Sequence, residues 1–150
     1  MPKDCLVDIV FVVDESGSIT LANFNLTKSF LSHLVGRLDI ESGRTRVGLV
    51  TFASGVGTGF NLSDFQTIAS MKSAISSLNY SQGGTNTDLA LAYVRTTMLT
   101  SEAGDRVDVP NVVVVLTDGH SENSDYTLVC KKLNALHVIR YTIKQLYVLI

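Results

Sequence analysis

The chain lacks any apolar run near the ~18 residues of a membrane-spanning helix. Its most apolar stretch, "NVVVVL", is only six residues long and reads as a buried strand. Excess basic charge is missing too: 12 Lys and Arg face 14 Asp and Glu, for a net charge of -2. That balance argues against a nucleic-acid binder, which carries a basic face. The cations are scattered, with only Lys131 and Lys132 adjacent, so no polybasic membrane patch forms. There is no internal repeat, linker or low-complexity segment. The opening "MPKDCLVD" does not read as a signal peptide. Cysteine is scarce: Cys5 and Cys130 allow one disulfide or two free thiols.

What is present suits one globular domain. In 150 residues, 45% are hydrophobic and 17% charged, enough for a proper core and unlike a disordered tail. Three glycosylation sequons occur, at Asn25, Asn61 and Asn79, and they weigh mildly toward a secreted protein.

Val7 to Val13, "VDIVFVV", is almost continuously apolar and β-branched, as a parallel strand covered on both faces reads. Residues 21–38 repeat with helical spacing, placing Phe24, Leu31, Leu34, Val35 and Leu38 on one face. Arg46 to Ala53 is a second strand, and "SGVGTGFNL" a tight turn into a short edge strand. Ser63 with Gln66 forms a capping box that predicts a helix start, followed by Ile68, Met71, Ile75 and Leu78. A further helix is expected over Asp88 to Leu99, a strand at "NVVVVLTD", a helix near Tyr126 to Leu136 and a strand near His137 to Ile143. Such alternation means an α/β fold with a mostly parallel central sheet and helices on both faces. Ligands of these sheets bind beyond the carboxyl ends of the strands, where the winding reverses.

The two most apolar strands each end in an acid, Asp14 and Asp118. After the first, "DESGS" alternates Asp14, Ser16 and Ser18, with Gly17 permitting a tight turn. A third loop, "GGTNT", offers Thr85. The sum is two carboxylates and three hydroxyls, all hard oxygen donors and no thiolate. Such a set favours Mg²⁺, Mn²⁺ or Ca²⁺ over zinc, and its small hydroxyls suit the compact Mg²⁺ or Mn²⁺ best. Two carboxylates only neutralise a divalent ion. An open coordination position would then attract a carboxylate from outside, making the ion a bridge between two proteins.

"DESGS", "GGTNT" and "LTDGHSEN" resemble the three loops of the metal-ion-dependent adhesion site of von Willebrand factor type A domains. The resemblance covers about residues 6 to 143 and includes "VGLVTFAS". It implies a Rossmann-like three-layer sandwich with one short antiparallel edge strand. It also implies direct ion contacts from Ser16, Ser18 and Thr85, with Asp14 and Asp118 often acting through water. "DIVFVVDESGSI" is most similar to the extracellular matrix members: matrilins, non-fibrillar collagens, and shell or byssal matrix proteins of invertebrates. The implied function is non-enzymatic: a secreted, ion-dependent adhesion module for collagen-like or other matrix proteins, with a biomineral matrix as one variant. The family pattern ordinarily continues past "YTI" with a further helix and strand that "KQLYVLI" does not supply. The apolar "YVLI" invites self-association.

Other readings stand beside this one. Alone, Asp14, Ser16 and Ser18 also fit a helix N-cap cluster. Glu15 points away by alternation and reads as a solvated residue or a rim contact for the partner. "GVGTG", Gly55 to Gly59, faintly resembles a phosphate loop but precedes a strand, and reads as a hairpin turn. His120 lies next to the site and could touch a ligand, but reads first as a solvated loop residue, and His33 and His137 read as structural or exposed. Ser121 has no Asp-supported His at suitable spacing. Cys130 reads as a buried apolar residue, with a Cys5–Cys130 bridge as the alternative. A magnesium-dependent phosphohydrolase would want a second Asp where Ser16 stands. A purely structural ion in an assembly domain is the third function class.

Overall fold

The computed structural model describes residues 5–118 and the backbone of 137–142. Five strands form one sheet in the order β3-β2-β1-β4-β5. They are β1 (Val7–Asp14), β2 (Thr45–Phe52), β3 (Val56–Phe60), β4 (Asn111–Thr117) and β5 (His137–Thr142). β1 runs parallel to both β2 and β4, and β4 parallel to β5. Among the described strands only β3 is antiparallel, folded back on β2 with a register shift between Val50 and Phe52. The phosphate-loop reading of Gly55–Gly59 therefore gives way to the hairpin.

The pleat of β1 divides the core. Phe11 and Val13 pack on one side with Phe24, Leu31, Met71 and Ile75. Val10 and Val12 pack on the other with Ala90, Leu91, Val94 and Met98. Because successive strand side chains point to opposite faces, one strand serves two helical layers. The first layer holds α1 (Leu21–Val35) and α2 (Ile68–Ser76), and the second holds α3 (Thr87–Tyr93). α3 continues into a π-helical stretch, Val94–Met98, so the expected single helix to Leu99 changes pitch midway.

The expected helix start at Ser63 is corrected. Residues 61–64 form a turn instead: the Asn61 N–H donates to Asp64 Oδ2 at 2.7 Å and the Asp64 N–H to the Asn61 carbonyl at 3.2 Å. The Ser63 N–H is held by the Ala103 carbonyl at 3.2 Å. The N-cap is Thr67, whose hydroxyl accepts from the Ser70 N–H at 3.2 Å. The expected helix over 126–136, with Cys130, His120 and Ser121, lies outside the described residues, as does "YVLI". Cys5 is exposed.

At the amino end of the sheet a buried ion pair ties three segments. Arg106 Nη2 and Nε donate to Asp8 Oδ1 at 2.6 and 2.9 Å, and its N–H donates to Asp8 Oδ2 at 3.0 Å. The same guanidinium donates to the carbonyls of Val7, Gly43 and Arg44. The opposite, carboxyl end of the strands is left to the site. β1 crosses to β2 on one side and has β4 on the other, so the winding reverses between β1 and β4.

Candidate metal centre

Asp14 closes β1 and is 1% exposed. Both its oxygens are engaged. Oδ1 accepts from the Ser16 N–H at 2.8 Å, and Oδ2 accepts from the Thr117 hydroxyl at 2.7 Å. The first bond turns the chain back over the strand end; the second joins β1 to β4 across the point of reversal. Ser16 Oγ and Ser18 Oγ lie 3.1 Å apart. The N-cap reading of this cluster is overturned: α1 is capped by Thr20, which accepts from the Asn23 N–H.

The loop before α3 packs against this turn. The Gly17 N–H donates to the Gly83 carbonyl at 3.0 Å, and the Tyr80 hydroxyl donates to the Ser16 carbonyl at 3.1 Å. On its far side the Gly84 N–H donates to Ser54 Oγ at 2.8 Å and the Asn86 N–H to the Ala53 carbonyl at 2.8 Å. Gly83 has φ +117, and a Cβ there would stand 2.9 Å from Ser54 Oγ. Only glycine meets both demands. Thr85, two residues on, is buried.

Asp14, Ser16 and Ser18 thus form one hydrogen-bonded group. Thr85 sits on the loop clamped to that group through Gly17 and Gly83, with no direct bond to its hydroxyls. Asp118 follows Thr117 and is close enough for its charge to act on Asp14. Thr117, Tyr80 and Ser54 support the site, and sequence reasoning missed them. Thr117 carried a signal, since it stands one residue before the strand-terminal acid. Tyr80 and Ser54 carried none, because their roles exist only between distant segments.

Electrostatics sets this cluster apart from an ordinary turn. Burial raises the Asp14 carboxyl above its usual value, and the Asp118 charge pushes the same way; the Ser16 and Thr117 hydrogen bonds oppose them. A buried acid beside a second acid is costly without a cation. Among the described residues no three His, Cys, Asp or Glu side chains gather as a ligand set. A cation here must therefore draw on hydroxyl oxygen. The 3.1 Å between the two serine oxygens is near the ~2.9 Å separating adjacent ligands of an octahedral ion with 2.0–2.1 Å bonds. The donor set fits a small hard divalent ion.

Glu15 is corrected. It is 3% exposed and not solvated. Its N–H donates to the Phe52 carbonyl at 2.8 Å, so β1 pairing continues past Asp14 and carries the side chain under the β2–β3 hairpin.

The chain has relatives among extracellular matrix proteins. The mouse collagen alpha-4(VI) chain is 41% identical over 118 residues, covering 77% of this chain and 5% of its own. Human matrilin-1 is 37% identical over 116 residues, with coverages of 77% and 23%. Human matrilin-4 is 40% identical over 120 residues, with coverages of 78% and 19%. The chain therefore spans no more than a quarter of these relatives. Among solved structures, proximal thread matrix protein 1 of the mussel byssus superposes with TM-score 0.81 at 28% identity, covering 93% of this chain and 38% of that one. One structure of that protein has a zinc-occupied metal-ion-dependent adhesion site motif. The model of the von Willebrand factor type A domain matches residues 8–145, and the chain belongs to that family.

Proposed function

We propose that the chain is a divalent-cation-dependent adhesion module of a secreted extracellular matrix protein. Asp14, Ser16, Ser18, Thr85 and Asp118 would hold the ion, with Mg²⁺ or Mn²⁺ preferred. The observation that carries the reading is the hydrogen-bonded Asp14–Ser16–Ser18 group at the reversal point of the sheet, with Asp14 and Ser16 buried and Ser18 open to solvent. When bound, the ion supplies an electrophilic position for an Asp or Glu of a partner. The chain's own residues do the rest. Thr117 and the Ser16 N–H fix the Asp14 carboxylate. Tyr80 and Gly83 hold the serine turn against the Thr85 loop.

This anchoring also favours adhesion over hydrolysis. Both Asp14 oxygens already accept hydrogen bonds, which suits a fixed charge better than an attacking nucleophile. Collagen and matrilin relatives support matrix proteins as the partner class, with collagen-like chains the first to try. Titration calorimetry with Mg²⁺ and Mn²⁺, paired with collagen binding in the presence and absence of EDTA, tests the reading. Asp14→Ala and Thr85→Ala should weaken ion binding by about 10- to 100-fold or more. Collagen binding that survives chelation removes the mechanism.

A further inference from the structure

Beside the metal centre lies a second feature that the ion does not use. A cleft of about 300 Å³ opens between the β2–β3 hairpin and the loop before α3. Its lining includes Glu15, Ser54, Gly57, Asn79, Ser81 and Gln82. Glu15 is nine-tenths and more buried, and its carboxylate has no hydrogen bond or ion pair among the described residues. Gly57 stands directly over it: a Cβ there would collide with Glu15 Oε1 and Thr51 Oγ1. The hairpin thus leaves room for the acid instead of supplying it with a partner. Among the described residues no Lys, Arg or His lines the cleft.

A carboxylate on a largely buried side chain, reaching an open cleft with no counter-charge among the described residues, leaves a place for a positive group. A divalent metal fits poorly, because it takes six or more oxygens and one carboxylate leaves its charge unbalanced. The cleft's other polar lining groups, beside the apolar Ala53 and Val56, are neutral amides and hydroxyls, which suit the several N–H donors and the apolar stem of an organic cation. The cleft shares a wall with the metal centre: Glu15 sits between Asp14 and Ser16, and Gln82 precedes the Gly83 that accepts from Gly17.

We infer that this cleft receives a Lys or Arg side chain of the partner protein, next to the acidic residue that meets the ion. The site then reads a pair of opposite charges, and Glu15 sets specificity. The pairing of the two contacts rests on the adhesion reading above; the cleft's affinity for a cation does not.

The test separates the two. Backbone amide NMR of the chain is followed while N-acetyl-arginine amide is added, once in Mg²⁺ and once in EDTA. Amides of Gly57, Thr58 and Gln82 should shift in both, and neutral N-acetyl-norleucine amide should leave them unmoved. Isosteric Glu15→Gln should abolish the arginine shifts. Shifts that are absent, or equal for both probes, overturn the cleft proposal without a variant having to fold. In Mg²⁺, peptides holding Glu and Arg across glycine spacers of increasing length should include one that binds at least about tenfold tighter than its Glu-only counterpart. Glu15→Gln should erase that gain. If no Glu peptide binds in Mg²⁺ while arginine amide still shifts the cleft, the ion reading fails and the cleft proposal stands.

Discussion

At the scale of a residue, Asp14 carries opposing demands. Burial makes its charged form unfavourable, and ion binding requires that form. The folded, ion-free chain therefore holds the Asp14 proton more tightly than the unfolded chain, whose value is near 3.8. More protons bound in the folded state means stability that falls as pH rises above that value. In EDTA, thermal melts should show Asp14→Asn more tolerant than wild type of the step from acidic to neutral pH. Wild type should gain from Mg²⁺ increasingly as pH rises through the same range, and the variant should gain nothing. An equal Mg²⁺ gain in Asp14→Asn would take this residue out of the site. Glu15 shows the limit of reading at this scale. Simple alternation sent it to solvent, but the backbone continues its pairing beyond Asp14 and the glycine-rich hairpin covers the side chain. That cover comes from residues more than a helix away in sequence, and no local pattern contains it.

At the scale of an element, periodicity was a reliable guide where burial is one-sided or complete. The apolar run ending at Val13 and "NVVVVL" became β1 and β4, and the stripe through Phe24, Leu31 and Val35 became the buried face of α1. Polar caps were less legible. Ser63 and Thr67 look equally able to start a helix, and a contact with Ala103 decides between them. Thr67→Ala should cost about 1 kcal/mol. The clamp of Arg106 on Asp8 was invisible in sequence for the same reason: its partners lie 98 residues apart. Asp8 is fully buried, so Arg106→Met leaves a carboxylate without its counter-charge. Urea unfolding should show a loss of about 3–5 kcal/mol. Mg²⁺ affinity should hold steady at temperatures where the variant is folded, because Asp8 and Asp14 are six residues, or about 20 Å of strand, apart.

At the scale of the whole molecule, any ligand that selects the folded chain stabilises it by mass action. Mg²⁺ at a hundredfold over its dissociation constant should add about 2.7 kcal/mol, seen as a melting shift of several degrees. Thr85→Ala should shrink that shift, and an unaltered one would exclude Thr85 from the ligand set. The order of the strands also governs when the site comes into being. Asp14 leaves an early strand, but the hydroxyl that steadies it belongs to Thr117, 103 positions further along. During synthesis β1 must wait for β4 to emerge and insert beside it, a long-range closure that forms slowly. A nascent chain stopped short of "NVVVVLT" has the serines but no floor beneath them. On the adhesion reading, stickiness is thereby withheld until the sheet is built.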